Sequence, residues 1–183
     1  MSETVDKLLD AAEGRIRTGG FHAVSFRDLA ADLGIKSASV HYHFPKKEDL
    51  GSAVVTRYAD RVMAALAIEA EGAVTVSDKL AALIRVYRAA LTTEDKACLC
   101  GVMGAEALGL PEPVRAAVRD FLGANIAWVA AALHADGIER AEEKAAMAIA
   151  SLQGAMMLAV NLGETSLFDK VAAEIHAAAT RQS

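Results

Sequence analysis

The stretch from Ser25 to Leu50 constrains the fold of this chain most, because it predicts two short helices separated by a tight turn. Ser25 stands where an N-cap belongs, and Asp28 follows three positions later as its capping-box partner. Apolar residues then recur at helical spacing, so one side of the first helix faces a small core: Phe26, Leu29, Ala30 and Leu33. Gly34 can adopt the positive φ that ends a helix. The pattern is typical of a helix-turn-helix.

A second helix is predicted to begin at Ser37, which can cap it, and to end near Phe44, because Pro45 disfavours helical geometry in the residue before it. On a helical wheel, Val40 and Phe44 share the side that packs onto the first helix. The opposite surface is small and polar with one aromatic ring, which suits a DNA major groove of about 12 Å width. It carries Ala38, Ser39, His41 and Tyr42.

Over roughly residues 5–50, the chain closely resembles the DNA-binding head of TetR-family transcriptional regulators. The positions that carry the resemblance are Phe21, Val24, Ser25, Phe26, Leu29, Ala30, Gly34, Ser37, Val40, Tyr42, His43, Phe44, Lys47 and Leu50. The resemblance implies that Ser37, Ala38, Ser39, His41 and Tyr42 enter the major groove, and that Ser25, Arg27, Tyr42 and Lys47 hold phosphates. Many family members have an aromatic residue in place of His41. His43 matches a histidine usual in the family, and we expect it to play a structural role.

The net charge of −5 argues at first against DNA binding, which needs local positive charge. Residues 1–61, however, carry nine basic and nine acidic residues, so the whole excess lies in residues 62–183, with 10 basic and 15 acidic residues. Arg27, Lys36, Lys46 and Lys47 lie close to the predicted recognition helix. We therefore expect salt-sensitive binding by a dimer. The acidic balance leaves open a helical dimeric binding protein without DNA activity.

The rest of the chain predicts an all-α protein of about nine helices, since hydrophobic residues make up 54% of it and only 3 prolines occur. A first helix ends at Gly19 and Gly20, and further helices are predicted at about 46–71, 77–92, 95–108, 112–134, 140–163 and 166–180. We expect a three-helix DNA-binding head at 1–46, joined by a long helix to a helical ligand-binding and dimerisation domain at 47–183. With no uninterrupted apolar run of about 18 residues and no signal-like N-terminus, we expect a soluble, cytoplasmic protein with no membrane partner.

The segment from Ala150 to Leu162 is apolar almost all the way round, so one side is expected to face the chain's own core and the other a second subunit. The alternative is a helix central to a monomeric bundle. The predicted homodimer interface combines two helices from each subunit. Its residues are Ala150, Gly154, Ala155, Leu158, Phe168, Val171 and Ile175.

A small-molecule effector site is predicted among the middle helices, where aromatic and polarizable side chains cluster. The candidates are Tyr87, Cys98, Met103, Trp128, Gln153 and Met157; the alternative is that they are plain core. Cys98 follows Lys96 near a helix start, where the helix dipole and a cation would lower a thiol pKa, which gives a thiol-based sensor of electrophiles or oxidants as an alternative function.

Enzymatic activity is not expected, because the chain contains no recognisable catalytic motif. The Cys98-Leu99-Cys100 spacing does not fit a structural zinc site, and no metal or cofactor is expected. The sequence thus predicts a ligand-responsive regulator, and specifically a repressor. As a homodimer it would bind a palindromic DNA operator, and a small-molecule effector would release it by population shift.

Overall fold

The computed structural model describes residues 3–93 and 98–180, and all regular structure in these ranges is helical. The helices are α1 (Glu3–Gly19), α2 (Phe26–Asp32), α3 (Ser37–His43), α4 (Lys47–Glu69), α5 (Val76–Thr93), α6 (Leu99–Ala105), α7 (Glu112–Ala135), α8 (Ala141–Leu162) and α9 (Thr165–Thr180). Two short 3₁₀ turns, at Phe21–Ala23 and Ala107–Gly109, follow α1 and α6. The prediction of an all-α protein with about nine helices is confirmed.

Most helix ends lie within two residues of their predicted positions, because residues close in sequence cap each helix end. The N-terminus of α4 is capped by Asp49, whose Oδ2 accepts the Lys46 backbone N–H at 2.9 Å. The prediction of one helix over 95–108 is wrong in its described part, since α6 ends at Ala105. There the backbone tightens: the Glu106 N–H donates to the Met103 carbonyl at 3.1 Å, and the Gly109 N–H donates to the Glu106 carbonyl at 2.8 Å. Residues 95–97 of that prediction lie outside the described residues.

The described residues divide into two compact units. The first contains residues 3–60 and, from later in the chain, residues 99–121. The second contains residues 61–93, Cys98 and residues 122–180. The predicted head at 1–46 therefore falls inside a larger unit that continues into α4 and includes α6.

In the first unit, α1 packs against α2 and α6, and α2 packs against α3. Leu8, Leu29 and Val40 are completely buried between these helices. The Arg15 guanidinium spans α1 and α2 by donating to both carboxylate oxygens of Asp32, at 2.8 and 3.0 Å. This bidentate ion pair holds α1 against α2, the first helix of the helix-turn-helix.

In the second unit, α9 packs against both α8 and α5, and α8 also contacts α5. Phe168 and Leu152 are fully buried there. Asp136, just past α7, accepts the Val76 backbone N–H at 2.8 Å and so ties the start of α5 to the end of α7. The second unit is thus a helical bundle in which one hydrogen bond joins the end of α7 to the start of α5.

The start of α5 carries a reciprocal capping box whose contribution to stability is expected to be lost at acid pH. The Thr75 hydroxyl oxygen accepts the Asp78 N–H at 3.2 Å, and Asp78 Oδ2 accepts the Thr75 N–H at 3.0 Å. Hydrogen bonds from the Thr75 backbone and side chain hold the pKa of Asp78 below its usual value. A pKa depressed by folding stabilises the protein above the unfolded-state pKa, and this contribution is lost as pH falls through the folded-state pKa.

We therefore expect Asp78→Asn to lower the free energy of unfolding at pH 7, with the difference from the parent protein shrinking as the pH falls below about 4. Urea unfolding from pH 7 to pH 3 measures the effect, with Asp60→Asn as the control for loss of a carboxylate. A difference between Asp78→Asn and the parent protein that is the same at both ends of this range would contradict the capping role.

Two helices, Glu112–Ala135 and Ala141–Leu162, are long and apolar enough to cross a membrane by length and composition. This is a weak indication, because the core helices of soluble proteins pass the same test. Of the most apolar window in each helix, 39% is buried inside the protein.

Candidate nucleic-acid interface

The turn between α2 and α3 has the geometry that the sequence predicts. The Ser25 hydroxyl caps α2 by accepting the Asp28 N–H at 3.1 Å. Gly34 adopts φ 63°, and the Ile35 N–H then donates to the Ala30 carbonyl at 2.9 Å. A residue with a side chain would be strained at this φ, so glycine here lets the chain reverse directly into α3.

One face of α3 is buried and the opposite face is open, as the helical wheel predicts. Val40 is completely buried and Phe44 is 8% exposed, whereas Tyr42 is 83% exposed. Ser37, Ala38 and His41 are also exposed, and Ser39 is half-buried. The predicted groove-facing residues therefore lie together on a short helix whose inner side is anchored in the head.

The structure corrects the predicted start of α3. Lys36, rather than Ser37, occupies the N-cap position, and no side chain caps the helix there. The Ser39 N–H instead donates to the Lys36 backbone carbonyl at 2.9 Å. Because Ser37 already has helical geometry, its hydroxyl is not used as a cap, and its side chain stays exposed.

The rings of His41 and Tyr42 on α3 each contact a neighbouring aromatic ring. The His41 ring packs edge-on against Phe26 of α2, with 4.8 Å between ring centroids, and Tyr42 packs edge-on against His43 at 5.1 Å. These contacts restrict the rotamers of the outward rings, so less conformational entropy remains to be lost when they meet a ligand. His43 is half-buried, in keeping with its predicted structural role.

The four cations around α3 are not equivalent. Arg27 and Lys36 are exposed and have no ion-pair partner among the residues that the structure describes. Lys46 Nζ lies 3.3 Å from Glu48 Oε1, and its side chain is 71% exposed. Lys47 is half-buried, with Nζ 4.5 Å from the centroid of the Phe21 ring. Burial lowers the pKa of Lys47, and the negative charge of Glu106 opposes this shift. Arg27 and Lys36 are thus the cations most available to phosphate.

Three of the predicted effector residues lie close together. Tyr87, Cys98 and Gln153 converge in the second unit: Gln153 Nε2 lies 3.5 Å from both the Tyr87 hydroxyl and Cys98 Sγ. The Tyr87 hydroxyl donates to Asn125 Oδ1 at 3.2 Å, and Asn125 is completely buried. These side chains form a polar cluster that joins α5, α7, α8 and the residue before α6, and all of them except the half-buried Gln153 are buried.

The remaining predicted effector residues lie on α6, α7 and α8. Met103 is buried and belongs to the first unit, and Met157 is 54% exposed on α8, so a role of these two residues in effector binding stays a prediction. Trp128 is half-buried. Cys98 and Cys100 are both buried, and Lys96, the cation expected to activate Cys98, lies outside the described residues. No group of three or more His, Cys, Asp or Glu side chains within the described ranges has an arrangement that fits a metal ion.

A groove of about 340 Å³ opens elsewhere in the second unit, between α5, α7, α8 and α9. Its walls are mostly apolar, and three charged side chains line it: Arg140, Glu143 and Lys144. Among the predicted effector residues, none lines this groove. Sequence reasoning missed it because its lining residues come from four helices, and no local spacing connects them.

The predicted dimer residues fall into three classes of exposure. Ala150 and Leu158 are exposed, and Gly154, Val171 and Ile175 are half-buried. Ala155 and Phe168 are 2% and 0% exposed, so these two are core residues of the protomer and the prediction that they meet a partner is wrong. The exposed side of α8 includes apolar side chains that the prediction left out: Met147, Met157, Val160 and Leu162.

Comparison with known proteins agrees with this architecture. Residues 8–54 match the sequence profile of bacterial regulatory proteins of the tetR family, and residues 76–174 match that of the C-terminal domain of LmrA/YxaF-like transcriptional regulators. A helix-turn-helix transcriptional regulator of Mycobacterium tuberculosis is 29% identical over 163 residues, which are 84% of this chain and 82% of that protein.

Two crystal structures are similar over nearly the whole chain. A TetR transcriptional regulator from Legionella pneumophila is 30% identical, with a TM-score of 0.88 and 98% of each chain covered. A TetR-family regulator from Agrobacterium tumefaciens is 27% identical, with a TM-score of 0.89 and 96% of each chain covered. Together with the helix-turn-helix geometry, these matches show that the chain belongs to the TetR family of bacterial transcriptional regulators.

Proposed function

We propose that the protein is a homodimeric repressor that binds a palindromic operator in the cytoplasm and is released by a small-molecule effector. The observation that carries the proposal is the outward face of α3, on which Tyr42 is 83% exposed while Val40 on the opposite face is completely buried. A helix of this kind presents polar side chains to the major groove without disturbing the core behind it.

Two sets of residues contact DNA in this proposal. Ser37, Ala38, Ser39, His41 and Tyr42 face the base edges. Ser25, Arg27, Lys36, Lys46 and Lys47, with the Tyr42 hydroxyl, meet the phosphates. Phosphate contacts fix the register of α3 and carry no sequence information, whereas contacts to base edges select the site.

The exposed apolar side of α8 supports the homodimer. Met147, Met157 and Leu158 are 71%, 54% and 45% exposed in the protomer, and Ala150 and Gly154 lie between them along the same side of the helix. A patch of this composition is typical of a surface covered by a second copy, and the small residues allow close approach of two helices. A symmetric dimer would place two α3 helices about 34–36 Å apart, which matches successive major grooves.

The groove in the second unit is the effector site that we propose. Its volume of about 340 Å³ suits a small molecule, and apolar walls with a few charged groups are typical of such sites. An effector that favours a conformation with displaced heads needs a coupling free energy of only about 2.7 kcal/mol to lower operator affinity a hundredfold. The buried cluster at Tyr87 and Gln153 remains a second predicted location for effector contacts.

The proposal is tested on a DNA duplex that the protein itself selects from a random-sequence pool. We expect the affinity of the protein for this duplex to fall steeply as the salt concentration rises. Arg27→Ala and Lys36→Ala are each expected to reduce the slope of log affinity against log salt by about 1. Fluorescence anisotropy between about 50 and 200 mM salt measures both quantities, because phosphate contacts change the affinity strongly over this range. Lys79→Ala in α5 serves as the control for loss of a cation.

Three outcomes would contradict parts of the proposal. Failure to select any duplex, or a salt slope unchanged by both Arg27→Ala and Lys36→Ala, would favour a helical binding protein without DNA activity. Compounds that bind the protein are then added to the protein–DNA complex. A compound that binds in the groove but never changes operator affinity would rule out the release mechanism.

A further inference from the structure

Glu106, the residue directly after α6, contacts the DNA-binding head through its carboxylate. Glu106 Oε2 accepts the Phe21 backbone N–H at 2.9 Å, at the 3₁₀ turn that joins α1 to α2. Gly20, the residue before Phe21, has φ 78°, and a Cβ at this position would lie 1.8 Å from Glu106 Oε1. The carboxylate therefore occupies space that exists only because residue 20 is glycine. All three residues belong to the first unit.

Lys47 contacts the same residue, Phe21. Its Nζ is 4.5 Å from the centroid of the Phe21 ring, so Phe21 is held by Glu106 at its backbone and covered by Lys47 at its ring. Burial lowers the pKa of Lys47, and the negative charge of Glu106 acts in the opposite direction. The Lys47 ammonium is thus partly desolvated, and it shares its neighbour Phe21 with the Glu106 carboxylate without forming a direct ion pair with it.

We propose that the Glu106 carboxylate competes with DNA phosphate for Lys47 and so limits operator affinity. The inference rests on the proposed contact between Lys47 and a phosphate. A phosphate that approaches Lys47 gains the attraction of the ammonium but is repelled by Glu106, so the net gain is smaller than for a lysine without an acidic neighbour. Because Glu106 directly follows α6, any displacement of α6 changes the strength of this competition. Glu106 is therefore a positioning residue for DNA binding rather than a DNA contact.

The test is Glu106→Gln in the full-length protein. Glutamine has the same shape and keeps an oxygen that accepts the Phe21 N–H, so the turn is retained while the charge is removed. We expect the variant to bind the selected duplex about two- to fivefold more tightly at low salt, which is the range of surface charge interactions, and the gain to shrink as salt screens it. Glu112→Gln is the matched control, because Glu112 is a carboxylate of the same unit that pairs with Arg115 and Arg119.

The second arm places both substitutions in a Lys47→Met background. Lys47→Met alone is expected to weaken binding and to lower the salt slope by about 1, and Glu106→Gln is then expected to give no gain beyond that of Glu112→Gln. The inference is overturned if Glu106→Gln never exceeds Glu112→Gln in the native background, or if its gain persists without Lys47. The proposed phosphate contact itself fails if Lys47→Met changes neither affinity nor slope, which is a separate observation. Thermal unfolding of each variant checks that the head remains folded.

Discussion

Replacing Leu158 by glutamate is expected to convert the proposed homodimer into a monomer and to weaken operator binding about a hundredfold or more. Leu158 is 45% exposed in the protomer and lies on α8 beside Met157, which is 54% exposed. In a symmetric interface, one substitution places two carboxylates in the same apolar contact. Each would lose its hydration without gaining a partner, at a cost of several kcal/mol. A monomer has a single α3 and loses the gain in affinity from binding two half-sites together.

Sedimentation velocity on the purified protein measures the change in mass, and anisotropy on the selected duplex measures the loss of affinity. Ile68→Glu is the matched control, because Ile68 on α4 is an aliphatic residue that is 72% exposed. We expect the control to remain dimeric. A Leu158→Glu protein that sediments as a dimer, or an Ile68→Glu protein that dissociates equally, would refute the proposed interface on α8.

Gly20→Ala is expected to destabilise the protein by about 3 kcal/mol. Gly20 has φ 78° and ψ 177°, a region that residues with a side chain almost never adopt. The new methyl group would also lie 1.8 Å from Glu106 Oε1, so the carboxylate must leave the Phe21 N–H or the turn must move. Urea unfolding measures the free energy, and operator binding of the remaining folded protein shows whether the head is displaced.

Two further variants separate backbone strain from steric conflict. Gly34→Ala also introduces a methyl group at positive φ, but nothing lies within 4 Å of it, so we expect a smaller loss of about 1 kcal/mol. Gly20→Ala in a Glu106→Ala background removes the conflict with the carboxylate and is expected to cost less than the sum of the two single substitutions. Equal losses for Gly20→Ala and Gly34→Ala would show that Glu106 does not fill the space beside Gly20.

The parts of the fold that depend on neighbours in sequence were predictable. The cap at Ser25, the positive φ at Gly34 and the buried side of α3 follow from spacing alone, because helix periodicity fixes which residues share a face. Ser37 was misplaced by one position, since the choice of N-cap depends on where the preceding turn delivers the backbone. The local signals around Lys36 and Ser37 do not determine that.

The parts that depend on distant contacts were not predictable. Glu106 and the Phe21 N–H are 85 positions apart, and no spacing pattern connects them. The apolar segment at 150–162 posed a different problem, because composition does not distinguish a side chain in the protomer core from one that a partner would cover. Ala155 and Phe168 proved to be core, whereas Met157 is exposed. Only the packing of α8 against α5 and α9 assigns each residue to a side.

The division of the first unit into two segments affects the order in which this protein is completed during translation. Residues 3–60 leave the ribosome first, but α6 and the start of α7, which belong to the same unit, end at residue 121. At about 5–20 residues per second, the additional 61 residues take roughly 3–12 seconds to synthesise. During that interval α1 lacks its packing partner α6, and the Phe21 N–H lacks the Glu106 carboxylate. For the same reason, a chimeric regulator that receives this head needs residues 99–121 as well as residues 3–60.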